Sequence, residues 1–238
     1  MQEKKDSILL FGYKKYGEKI AFALENNDYE IVIADTDKEN IEKAEKNGHK
    51  AYFIDIENDE DIVQILVSYT FNHIFCAMDN DEENIYLAIT MKSIDSNIDV
   101  ISICQSKDSE QKLELAGVRG ILNTLDATAQ NIFHLLKNPI MIEAIEDILY
   151  FNSDIDFVEL EVPKDSFLDG KFINEIDFKK DYNIILLGLI DIEFADKFIF
   201  ATKGVNHKID EGDILLLIGL KEDLKVFKEK LIQSTVEK

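Results

Sequence analysis

Between Ser7 and Asn123 the chain keeps switching its hydrophobic period, and that switching leaves few folds open. SILLF (7–11), EIVIAD (30–35), AYFID (51–55), HIFCAM (73–78), DVISICQ (99–105) and RGILN (119–123) are apolar runs too short for helices and read as buried strands. Between them lie stretches with apolar residues at helical spacing: GEKIAFALENN (17–27), KENIEKAEKNG (38–48), DEDIVQILVSY (59–69), EENIYLAITMKSI (82–94) and KDSEQKLELAG (107–117). Strands alternating with helices at this spacing build βαβ units, and these units make a parallel, doubly wound sheet.

The pattern changes after Leu122. DATAQNIFHLLK (126–137) reads as a helix with Asp126 as its N-cap; Asn138-Pro139 breaks it, and IMIEAIEDILYF (140–151) resumes. Both helices are strongly apolar, through Ile132, Phe133, Leu135 and Leu136 on one and Ile140, Met141, Ile142, Ile145, Ile148 and Leu149 on the other. Such faces need burial, in an internal core or against a second copy of the chain. From Asp154 onward DFVELEV, NIILLGLI, FIFATKG and DILLLIG read as strands, with KEDLKVFKEKL (221–231) as a short last helix. The expected class is α/β: a doubly wound parallel sheet over 1–125, a helical crossover over 126–152 and a small α+β lobe over 153–238.

A net charge of −22 argues against nucleic acid and anionic membrane surfaces as partners. It would suit cations, although a chain this rich in Ile, Asn, Lys, Asp and Glu also reflects genome base composition. No apolar run approaches the roughly 18 to 20 residues a membrane span needs, and MQEKKDS has no signal-peptide character, so a cytoplasmic protein is expected. Cys76 and Cys104 sit inside apolar runs and read as packing residues. The histidines at 49, 73, 134 and 207 show no metal-ligand spacing; His207, in the loop GVNHKIDEGD, is expected to be solvated.

The chemistry-bearing motif is FGYKKYG (11–17). A dinucleotide turn carries three glycines: one for the turn, one to let backbone approach pyrophosphate, one to let helix and strand pack. Gly12 and Gly17 fit the first and third positions, and Lys14 fills the second. The helix start at Gly17 still offers free N–H groups to an anion, with Lys15 as a second cation. Asp35 lies about 20 residues on, where a carboxylate takes ribose hydroxyls and favours an unphosphorylated ribose. Lys14 has two open roles: a point charge for phosphate, or a side chain folded onto Asp35 or another acid that fills the site.

Taken in order, ILLFGYKKYG, VIADTDKE, YFIDIENDEDI, FCAMDNDEENIYLAI and KLELAGVRGILN, then VPKDSFLDGKFINEIDFKKDYNIILLGL and KIDEGDILLLIGLKEDLKVFKEKL with its Gly212-Asp213 pair, resemble the RCK domain (regulator of K⁺ conductance) of potassium channels and of Trk- and Ktr-type potassium uptake systems. The resemblance covers nearly the whole chain. It implies a Rossmann-like first lobe and a TrkA-C-like second lobe. It also implies pairing through helices 127–149, rings that are commonly octameric, and a location at the inner face of the cell membrane beneath a potassium pore.

Carried over by position, Gly12, Tyr13, Lys14, Lys15 and Gly17 would face phosphate, Asp35 and Thr36 the ribose, Asp55 the base, and Ala77, Met78 and Asp79 the end of the fourth strand. The implied ligand is an adenine nucleotide: ATP, ADP, AMP or NAD. Two departures weaken a dinucleotide, Lys14 for a glycine and Ile54 for the glycine that usually precedes Asp55, and leave a mononucleotide or no nucleotide at all as open alternatives. Calcium-gated relatives place an acid after the fourth strand and two on the fifth; Asp81 matches the first, but Ile103 and Gln105 hold the other positions, so that site is expected to be broken. The acidic run DNDEEN (79–84) reads as a helix start capped by Asp79 or Asn80. The resemblance implies regulation of a channel, or a separate ring subunit of an uptake system, and no enzyme activity. An NAD-dependent oxidoreductase would need an acid or base at the cleft, and His73 precedes its strand.

Overall fold

In a computed structural model of the chain, residues 7–25, 29–56, 58–150, 154–192, 197–203 and 206–233 are described. The expected lobe boundary at 152–153 and the end of FIFATKG at Gly204 lie outside these residues. Two compact units divide between Phe133 and His134.

In the first unit every expected strand forms: β1 Ser7–Phe11, β2 Glu30–Asp35, β3 Lys50–Phe53, β4 His73–Cys76, β5 Asp99–Cys104 and β6 Gly120–Asn123. They make a six-stranded sheet in the order β3-β2-β1-β4-β5-β6, parallel throughout. Alternate residues explain its two cores. Leu9, Phe11, Val32, Ala34, Ile74 and Cys76 pack with Ile62, Leu87, Met91 and Leu113 from helices α3 (Asp59–Ser68), α4 (Asp81–Ile94) and α5 (Lys107–Leu115). Leu10, Ile31 and Ile33 pack on the other side with Ala21 and Ala44 from α1 (Lys15–Glu25) and α2 (Lys38–Lys46). Side chains that point to opposite faces with period two require both faces of the sheet to be covered.

Helix starts follow capping chemistry. The side chains of Asp37, Asn58, Asn80 and Ser106 accept the backbone N–H of Glu39, Glu60, Glu82 and Ser109 at the starts of α2 to α5. The crossover differs from expectation. Helix α6 (Thr124–Lys137) begins two residues before Asp126, because β6 runs straight into it, and the Asp126 N–H is accepted by Asn123 Oδ1 at 3.2 Å. Thr124 is hooked to the sheet, its Oγ1 donating to Cys104 O at 3.3 Å and lying 3.5 Å from Tyr16 Oη of α1. Helix α7 (Pro139–Tyr150) follows. Ile132, Phe133, Leu135 and Leu136 of α6, and Ile140, Met141, Ile145 and Leu149 of α7, are exposed in the single chain.

The second unit holds an antiparallel four-stranded sheet in the order β7-β10-β8-β9: β7 Ile155–Glu161, β8 Ile184–Asp191, β9 Lys197–Phe200 and β10 Ile214–Leu220. Leu160, Val162, Leu189, Leu215 and Leu217 form its core with Phe178 of α8 (Phe178–Tyr182) and Phe227 and Leu231 of α9 (Lys221–Gln233). The pattern of FIFATKG predicts one strand, but β9 stops at Phe200 and a 3₁₀ turn takes Ala201–Lys203. His207 also departs from expectation. Its Nε2 lies 2.9 Å from Asp191 Oδ2, with both side chains mostly buried. The loop is held there by backbone bonds from Ile173 N to His207 O and from Ile209 N to Lys171 O. Asp213 is buried below it and accepts the Asp210 N–H; burial raises its carboxyl above the usual range, and the neighbouring Asp191 adds to this.

Candidate functional site

Strand order reverses between β1 and β4, the switch point where open parallel sheets form a crevice beyond their carboxyl ends. The glycine turn forms one wall. Gly12 has φ +92°, and a Cβ there would lie 2.6 Å from Ala77 O; a Cβ on Gly17 would lie 1.8 Å from Gly12 O. Both glycines therefore serve close packing, the turn against the end of β4 and α1 against the turn. The middle position is free of that constraint. Lys14 sits there with its side chain 66% exposed and Nζ 3.4 Å from Asp79 Oδ2 on the opposite wall. It does not fold back on Asp35.

Asp35 is only 2% exposed and already has partners. Its Oδ2 accepts the Tyr13 N–H at 2.6 Å and the Asn40 amide at 3.1 Å, and its Oδ1 accepts the Asp37 N–H at 2.8 Å. The carboxylate thus stitches the end of β2 to the glycine turn. Tyr13 is not in the cleft lining: its ring is buried and turned to α2, its Oη accepting from Asn47 at 3.0 Å and its ring meeting His49 edge to face. Thr36 lines the rim beside Asp35.

On the β4 side Ala77 and Met78 are buried cleft wall, Asn80 caps α4, and Asp79 faces Lys14. Asn84, missed in the sequence reading, holds this wall. It is 1% exposed; its Oδ1 accepts the Met78 N–H at 2.8 Å, and its amide donates to Met78 O and Ile103 O. Its signal was an amide at the head of the apolar stretch NIYLAI. Asp81 accepts the Gln105 N–H with both oxygens, at 2.9 and 3.1 Å, and the Gln105 amide donates to Asp79 O. These residues tie β5 to α4. Among the described residues no group of three or more His, Cys, Asp or Glu side chains could hold a metal ion.

Gly12, Lys14, Asp35, Thr36, Ala77, Met78 and Asp79 thus meet around one cavity of about 260 Å³, joined by Asp37, Asn40, Asn80 and Glu83. Gly17 underlies the turn. Lys15 and Asp55 are not in the lining: Lys15 Nζ lies over the Tyr16 ring, and the Asp55 N–H donates to Asp61 at 2.9 Å. Ile54 is fully buried in the core. A larger hollow of about 370 Å³ opens away from the strand ends, between α1 and the end of α2, along Tyr13, Phe22 and His49. The strand-end cavity is acidic. Burial, then the charges of Asp35 and Asp79, raise the Glu83 carboxyl above its usual range. Its carboxylates suit hydroxyl donors, while Lys14 supplies a positive charge to an anion.

Behind this wall both thiols are suppressed, burial pushing Cys76 up to about 12 and Cys104 up to about 11. At pH 8 both therefore stand overwhelmingly as thiols. Native protein is expected to react negligibly with a thiol reagent over minutes, and to label at both cysteines in denaturant; fast native labelling would show an open core.

Residues 8–124 match the TrkA-N domain family and residues 157–232 match the TrkA-C domain family. Potassium channel protein 1 of Methanocaldococcus jannaschii is 22% identical over 221 residues, covering 92% of this chain and 65% of its own length. Protein MG323 of Mycoplasma genitalium is 19% identical over 239 residues, covering 99% of each chain. The GsuK channel bound to NAD shares the fold, with a TM-score of 0.50 and 18% identity over 97% of this chain and 39% of that channel.

Proposed function

The chain belongs to the RCK family, a TrkA-N domain followed by a TrkA-C domain, and on that premise we propose that it is a ligand-sensing regulatory module that gates a potassium pore. The observation that carries this reading is the cleft at the β1/β4 switch point, framed by Gly12, Gly17, Asp35 and Lys14 within that domain order. The M. jannaschii relative named as a potassium channel and the GsuK channel bound to NAD support it. The ligand is an adenine nucleotide, and the module acts by binding rather than by catalysis. No helix among the described residues is long and apolar enough to cross a membrane, so the pore belongs to another segment or another chain. The module works at the cytoplasmic face beneath that pore.

Residues 1–125 form the sensing lobe, 126–152 the crossover through which two copies pair, and 153–238 the second lobe. The exposed apolar faces of α6 and α7 support pairing, and dimers assemble further into an octameric ring. A nucleotide gates only as far as it binds one ring conformation better than the other. A second reading is a separate subunit of a Trk or Ktr uptake system; its support is one of length alone, since the uncharacterized protein MG323 aligns over 99% of both chains. The mass of the polypeptide isolated from its cells distinguishes the two.

The test is the thermal midpoint of the purified chain with ATP, ADP, AMP, NAD⁺ or NADH, and separately with Ca²⁺. A ligand at about 100 times its Kd stabilises by roughly 2.7 kcal/mol, and a rise of about 2–4 °C is expected with at least one nucleotide. No rise with any of them refutes nucleotide sensing. Potassium-flux measurements on vesicles holding the pore and this chain, with and without that nucleotide, test gating; equal flux sinks it.

A further inference from the structure

We infer that Lys14 and Asp79 form a strut that cuts the cleft down to its β1–β2 half, so that the site takes a nucleoside monophosphate and excludes a dinucleotide. This rests on the nucleotide reading above and names the ligand class of the same site. In a full dinucleotide site one nucleoside lies on each side of the switch point, and the pyrophosphate crosses between them beside the glycine turn. Here that crossing is occupied. Lys14 stands where a glycine would leave room, and its Nζ reaches across the gap between β1 and β4 to within 3.4 Å of Asp79 Oδ2.

What remains on the near side is a complete small site. Asp35, Thr36, Asp37 and Asn40 line it from the β2 end, and Lys14 closes its far edge. The whole cavity, from Asp35, Thr36, Asp37 and Asn40 across to Met78, Asp79 and Glu83, holds only about 260 Å³, below the roughly 300–1,000 Å³ of ordinary small-molecule pockets, which suits a short ligand. Asp35 keeps its bonds to Tyr13, Asp37 and Asn40, and the exposed carboxylate of Asp37, whose Oδ1 caps α2 at the Glu39 N–H, offers Oδ2 to a ribose hydroxyl. A terminal phosphate ends against Lys14 Nζ. The ion pair is solvent-exposed, so exchanging Asp79 for a phosphate costs at most about five-fold in affinity. A ligand that continues past its phosphate must instead displace the whole lysine side chain and pass the acidic wall of Asp79 and Glu83.

AMP and NAD make a matched pair, since NAD is AMP extended through its phosphate. Titration calorimetry of the full chain, of K14G and of D79N against both decides the matter. Wild type is expected to bind AMP at least ten-fold more tightly than NAD. D79N, which frees Lys14 and removes a like charge, should tighten AMP about five-fold. K14G should lose about ten-fold for AMP and bind NAD at least as well as AMP. Wild-type NAD binding as tight as AMP, an unmoved AMP affinity in D79N, or an unmoved NAD-to-AMP ratio in K14G would each overturn the strut while nucleotide binding stands. If neither wild type nor K14G binds either nucleotide, the nucleotide reading itself fails.

Discussion

Gly17→Ala is expected to remove about 3 kcal/mol or more from the first unit, the largest effect of any single methyl added there. The added Cβ would sit 1.8 Å from Gly12 O, a backbone atom with nowhere to go because Gly12 is itself packed on Ala77. Relief requires α1 to lift from the sheet, which opens the core around Ala21 and Leu10. Two controls separate this clash from the ordinary cost of changing a glycine. A Cβ at Gly120 would meet only Ile101 side-chain carbons, at 3.2–3.3 Å, and Gly120→Ala should cost about 1 kcal/mol or less. Gly48 has φ +91° and open space around it, so Gly48→Ala pays about 1–2 kcal/mol of left-handed strain alone. Urea melts followed by far-UV circular dichroism give all three values. A Gly17→Ala melt within 1 kcal/mol of wild type would mean that α1 is not seated as described.

The second large effect is at Asp35. Asp35→Ala strips the acceptor from the Tyr13 and Asp37 N–H groups and from the Asn40 amide, and a buried group left unpaired costs about 1–3 kcal/mol. Partial access of water to Asp37 and Asn40 lowers the sum, so about 2–4 kcal/mol is expected for the ligand-free protein. The same melt decides between roles for this acid. If Asp35 served only a ribose, its removal would leave the ligand-free midpoint unchanged and weaken nucleotide binding alone. The expected outcome is loss of both.

The parallel sheet was legible because its evidence is local and periodic. Runs such as SILLF and HIFCAM are too short for helices, and the observed helices α2 to α5 each begin directly after an Asp, Asn or Ser cap. The place of the cleft was legible for the same reason, since the glycine turn and Asp35 sit at fixed offsets along one βαβ unit and meet around one cavity. Pairings across long separations were not legible. Nothing in FGYKKYG says that Lys14 meets Asp79, and nothing in NIYLAI says that Asn84 holds Met78 and Ile103. The partner of His207 is invisible in its own loop, because Asp191 comes from the end of β8. The second unit read less clearly, since α8 and the 3₁₀ turns are too short to show a period. The early start of α6 was hidden because β6 passes into the helix with no turn residue between them.

That uninterrupted passage gives the crossover a mechanical advantage. Thr124 is the root of α6, pinned to Cys104 of the sheet and within 3.5 Å of Tyr16, two residues from Lys14. A helix of 14 residues is about 21 Å long, so a tilt of about 10° at its root sweeps its far end through about 4 Å. With no turn residue at the fulcrum, a rotation of Thr124 against the sheet would be carried into the helix instead of being absorbed by a loop.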